Sequence, residues 1–97
     1  MIPSKEMAEI RLVDMRRKID ELDRAIVRLL NQRAEKVAQI GFLKRSLDLP
    51  VRSRPREEMV LKNVAAANPG PLTEAALLSI YRRVLASMRG LQDGSRH

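Results

Sequence analysis

Ninety-seven residues allow one small domain, whose core would be marginal for a lone chain even with 44% hydrophobic content. Only Phe42 and Tyr81 are aromatic, so Leu, Ile, Val, Ala and Met must build that core; with 32% charged residues this favours packed helices over a sandwich or barrel. The absence of cysteine excludes disulfides and thiolate chemistry, the one histidine is the terminal His97, and a formal net charge of +7 implies an anionic partner without naming it.

Histidine catalysis and histidine metal clusters are therefore not expected. No apolar run reaches the length of a membrane span, and the start MIPSKEMAE lacks signal-peptide character. A soluble, cytoplasmic chain is the expectation. Its anion is either nucleic acid or a small polycarboxylate, and composition leaves both open.

Two stretches break the chain, Leu49-Pro50 through Pro55 and Asn68-Pro69-Gly70-Pro71, because proline removes a donor and glycine admits left-handed backbone. They leave three helical segments, and the fold class expected is all-α. The first runs from about Glu9 to about Leu47. Its apolar residues Met15, Ile19, Leu22, Ile26, Leu29, Val37 and Ile40 step by threes and fours, apart from one gap. Such a helix extends roughly 55–60 Å. Two short helices cover only part of that stripe, so its length argues for an oligomer.

The second helix is predicted from Pro55, a favoured first-turn residue, with Glu57 and Glu58 suiting the positive end of the dipole. It carries Met59, Val60, Leu61 and Val64. The third starts near Glu74 with Thr73 as N-cap. Leu77, Ile80, Tyr81, Val84, Leu85, Met88 and Leu91 follow at helical spacing. One domain over residues 1–97 results, with helices at roughly 9–47, 55–67 and 73–92 and a tail at 93–97.

The gap in the first stripe is Arg33. Its neighbours at three and four residues are Leu29, Leu30, Lys36 and Val37, none of them acidic. Lys44 lies about 20° away around the helix and about 16 Å along it. Two cations in one apolar seam call for an anion between them. The bland alternative is that both snorkel, with Lys44 paired to Asp48 at i+4. Arg16 flanks the stripe about 25 Å from Arg33 along the axis, too far to share a ligand within one chain. Asp20 at i+4 offers it a surface salt bridge. Gly41 costs about 1 kcal/mol in a helix interior, so close packing or ligand approach is expected there.

Met15-Arg16-x-x-Ile19-Asp20-x-x-Asp23, Leu29-Leu30-x-x-Arg33, Ile40-Gly41-x-x-Lys44, Pro50-Val51, Arg56-Glu57 and Leu91-Gln92 occur in that order. Each piece is weak alone. Together, over about residues 10–92, they resemble the all-helical (type II) chorismate mutases. The resemblance implies a three-helix protomer whose very long N-terminal helix pairs with its counterpart in an intertwined homodimer. It also implies the activity, a [3,3] rearrangement of chorismate to prephenate.

By the same resemblance Arg33, together with Arg16 from the partner subunit, clamps the two substrate carboxylates. Lys44 and Gln92 donate to the ether oxygen. Glu57 holds the ring hydroxyl, with Arg56 and Ser53 as substrate-binding residues beside it. Such a reaction needs no metal, cofactor, nucleophile or proton shuttle. Holding the compact conformer and stabilising charge on the ether oxygen suffice.

Ser53 stands where the family commonly has aspartate, and Met88, next to Ser87, where it commonly has serine. Three other readings compete. An isochorismate pyruvate-lyase of the same fold tends to lack the glutamate matching Glu57. A basic nucleic-acid-binding module lacks an aromatic stacking platform here. A catalytically weak copy would depend on a partner enzyme of the same pathway.

Overall fold

The computed structural model describes residues 4–92; the expected tail at 93–97 lies outside them. Three helices form, α1 (Lys5–Ser46), α2 (Arg54–Ala67) and α3 (Glu74–Gln92), and no strand occurs among the described residues. The chain divides into two units, one ending at Arg33 and the other beginning at Ala34.

In the first unit the helix starts four residues before the predicted Glu9. Ser4 is its cap: the side chain accepts from the Met7 amide at 3.2 Å and its carbonyl from the Ala8 amide at 2.8 Å. Glu6 falls in the first turn, where the dipole favours an acid. Periodicity located the start by the apolar stripe, which a cap made of polar residues precedes.

That stripe is uncovered in the single chain. Met15, Ile19, Leu22, Ile26 and Leu29 are each at least 49% exposed. The polar side carries a local triplet, in which Asp14 pairs with Arg17 at 2.6 Å and Lys18 at 3.1 Å. The hydrogen bond from Lys18, then its charge, holds the Asp14 carboxyl below its ordinary value.

In the second unit α1 ends in a Schellman turn. The Leu49 amide bonds the Lys44 carbonyl at 2.8 Å and the Asp48 amide bonds the Arg45 carbonyl at 3.2 Å. Asp48 takes the left-handed position at φ 57°. Aspartate tolerates that region better than most side chains. No glycine marks the stop, which is why Leu47 was included in the expected helix.

α2 begins at Arg54 rather than Pro55. Ser53 is the N-cap, accepting from the Arg56 amide at 3.2 Å, and proline sits in the first turn. At the other end Asn68 closes an Asx turn: its Oδ1 accepts from the Gly70 amide at 3.0 Å and its Nδ2 donates to the Leu72 carbonyl at 2.9 Å. Gly70 has φ 78°, a conformation glycine adopts without cost. Thr73 caps α3 as expected, accepting from the Ala76 amide at 3.2 Å.

α2 packs on α3, and Val60, Leu61, Val64 and Ala65 of the one and Leu77, Tyr81, Val84 and Leu85 of the other are all only partly buried. Among the described residues, Met88 is the buried large apolar one. Met59 and Ile80, among the apolar residues the second and third helices were expected to carry, are each 53% exposed. The core is thin.

Candidate active site

Contacts at Gln92 tie the last turns of α1 to the last turn of α3, contacts at Glu57 tie that turn to the first turn of α2, and Lys44 holds the segment between α1 and α2. Gly41 is the closest approach. A Cβ built there would lie 2.7 Å from the Gln92 Cα and 2.9 Å from its carbonyl carbon. Only glycine lets the end of α3 come that near, and the close packing expected at Gly41 is what the helix cost sustains. Arg45, four residues on, donates to the Gln92 carbonyl and so satisfies an acceptor at the negative end of α3.

Gly41→Ala is therefore expected to destabilise the chain by about 1–2 kcal/mol, because steric overlap with backbone exceeds the helix-propensity gain. A urea titration of both proteins measures the difference.

Lys44 is partly buried, and its ammonium donates to the Val51 carbonyl at 2.9 Å. The i+4 pair with Asp48 does not form, because Asp48 is committed to the left-handed position of the turn. Lys44 lines an open groove with Leu49, Pro50, Arg52, Ser53 and Arg54. The groove is apolar along its prolines and cationic at its rim, which suits a small anion with a hydrocarbon body. The Ser53 hydroxyl accepts from the helix and keeps its own proton to donate into the groove. Arg56 is exposed and lies along α2, its Nη1 3.7 Å from the Met59 sulfur.

Glu57 is engaged from two sides. Arg89 donates through Nε to Oε1 at 3.0 Å and through Nη2 to Oε2 at 2.7 Å, and Arg52 Nε lies 3.4 Å from Oε1. The hydrogen bonds from Arg89 hold the Glu57 carboxyl below its ordinary value, against partial desolvation that acts the other way. With its acidity raised on folding, the pair stabilises the chain above the ordinary glutamate range. That contribution is lost as pH falls through the lowered value.

Sequence reading did not find Arg89 or Arg52. Arg89 passes for a cation complementing the C-terminus of α3, and nothing local to Glu57 asks for a partner. The one signal was position: Arg89 lies a single turn before Gln92.

Arg16 and Arg33 belong to the first unit. Arg33 is half-buried and is not without a partner, so the lack of an acid within four residues did not leave it unengaged. Arg16 is exposed and makes no pair with Asp20; among the described residues the nearby ion pairs belong to Asp14. Among the described residues no cluster of three histidine, cysteine, aspartate or glutamate side chains could hold a metal ion. No helix of the described residues is long and apolar enough to cross a membrane.

Comparison with known proteins bears on what such a groove binds. The family model described as chorismate mutase type II matches residues 15–93. A bifunctional chorismate mutase/prephenate dehydratase of Aquifex aeolicus is 32% identical over 85 residues, covering 84% of this chain and 24% of that protein. A protein of the same description from Neisseria gonorrhoeae is 37% identical over 76 residues, covering 77% and 20%. The chain thus spans about a quarter of the length of the curated relatives it matches. Among solved structures, Form II of the chorismate mutase from Thermus thermophilus superposes with a TM-score of 0.83 at 31% identity, covering 86% of this chain and 94% of that one. Form I gives a TM-score of 0.78 at 32% identity, covering 80% and 98%.

Proposed function

Because the chain belongs to the type II chorismate mutase family, we propose that it converts chorismate to prephenate in a site built from cations and one neutral amide. The observation that carries this reading is the junction of Lys44 and Gln92. Gly41 packs against the Gln92 backbone one turn before Lys44, so an ammonium and a carboxamide come from adjoining turns of two helices.

In the rearrangement one C–O bond breaks as one C–C bond forms, and no atom or electron enters or leaves. Electron density collects on the ether oxygen as the C–O bond lengthens. Lys44 and Gln92 donate hydrogen bonds to that oxygen, and donors fixed beforehand lower the barrier because they need no reorganisation. Arg33 holds one carboxylate and keeps the flexible side chain folded over the ring. Glu57 accepts the ring hydroxyl, with Ser53 and Arg56 at its side.

The second carboxylate is assigned to Arg16 of a partner copy. Two features support a dimer built on α1. The stripe from Met15 to Leu29 is exposed in the single chain, and the α2–α3 core is too thin to stand far from marginal stability. An intertwined pair of long helices covers the stripe and carries the exposed, unpaired Arg16 to the opposite site.

The retained Glu57 favours the mutase over the lyase of the same fold. Incubation with chorismate and, separately, isochorismate tests the reading. Prephenate from chorismate is expected; pyruvate and salicylate from isochorismate, with chorismate untouched, would replace this function by the lyase.

A further inference from the structure

The fork between Arg89 and Glu57 joins α3 to α2 through residues 32 apart in sequence, and both carboxylate oxygens take part. The charged groups facing Glu57 are Arg89 from α3 and Arg52 from the segment before α2. A bidentate guanidinium occupies one lone pair of each oxygen. Arg52 draws on Oε1 again, which leaves the second lone pair of Oε2 as the acceptor for a further donor. The acid is the more sequestered partner, at 21% side-chain exposure against 40% for Arg89.

We propose that Arg89 is a positioning residue for substrate recognition, fixing the Glu57 carboxylate so that Oε2 accepts the ring hydroxyl. This rests on the reading of Glu57 as the hydroxyl acceptor. Held by two cations on two elements, the carboxylate loses its side-chain freedom before substrate arrives. Ser53 brings a hydroxyl and no charge to that side of the site, so recognition depends on the one carboxylate of Glu57 being correctly aimed.

A fork that only tied α2 to α3 would respond equally to every substrate. The test is steady-state turnover of the wild-type chain, Arg89→Gln and Arg89→Lys, on chorismate and on an analogue lacking the ring hydroxyl. Arg89→Gln is expected to raise KM for chorismate about tenfold, the worth of one hydrogen bond to a charged group, with kcat changed less. Arg89→Lys, a point charge without the fork, recovers part of that loss. On the analogue both variants match the wild-type KM. The acid limb of kcat/KM also moves to higher pH in Arg89→Gln, since Glu57 regains its ordinary acidity.

Equal penalties on the two substrates, or no penalty on chorismate, overturn the positioning role. If Arg89→Gln fails to fold, Arg89→Lys carries the same comparison, because it keeps a cation between α2 and α3. A wild-type chain inert toward chorismate overturns the mutase reading and this assignment with it. Wild-type turnover with an indifferent Arg89 variant overturns this assignment alone.

Discussion

Replacing Lys44 with alanine is expected to lower kcat/KM for chorismate about a thousandfold, the upper range for removing one preorganised donor to a developing oxyanion. The loss is electrostatic in origin. Lys44 is partly buried at the head of the groove, its own carbonyl is locked in the Schellman turn, and its ammonium is held 2.9 Å from the Val51 carbonyl. Both ends of the residue are therefore fixed to the same turn. Of the ammonium's three donors, Val51 takes one, and the others are open to an anion. The loss in stability is small by comparison, about 1 kcal/mol for one hydrogen bond to a partly exposed carbonyl. A melting curve near wild type with collapsed turnover is the expected pair of results. Near-normal turnover in the folded variant would remove Lys44 from the ether oxygen.

Arg16→Ala is expected to cost a similar factor, although Arg16 lies on an exposed part of the first unit and pairs with no acid among the described residues. A surface cation of that kind normally contributes little to stability or function. A large loss from such a position has a ready explanation when a second copy brings a site to it. The proposed dimer should survive, since the stripe from Met15 to Leu29 is unchanged and would supply the apolar area. Sedimentation of the variant as a dimer, together with a raised KM, is the expected combination. A variant that dissociates would move Arg16 from substrate binding to assembly.

Much of the helical layout was legible because proline and the Asn-Pro-Gly-Pro run interrupt a threes-and-fours pattern, and such breaks act locally. Thr73 as a cap and Gly41 as a point of close packing follow from local rules of the same kind. The roles of Ser4 and Asp48 as the ends of α1 were not legible for a related reason. Each ends α1 with a polar residue that carries no apolar signal, and Asp48 fills a left-handed position usually given to glycine.

The Glu57–Arg89 fork lay beyond sequence reasoning altogether. Its existence depends on the rotation of α2 and α3 about their axes, which periodicity fixes only to the width of a face. The exposure of Met59 and Ile80 has the same origin, since spacing says which residues share a face but not what covers it. For Arg33 the sequence named the residue and its unusual place in the stripe, and the residue is not without a partner even though no acid lies within four residues of it.

In the proposed dimer each site takes Lys44 from one chain and Arg16 from the other, and mixing the two inactive variants tests that sharing. When Arg16→Ala and Lys44→Ala chains are unfolded together and refolded at equal amounts, half of the dimers are heterodimers. Each heterodimer holds one site with both residues intact and one with neither. Chorismate turnover should then recover to about a quarter of the wild-type rate, as a two-fold symmetric pair with shared sites requires. Heterodimers verified by mass spectrometry that stay as inactive as the two parent variants would contradict the shared site.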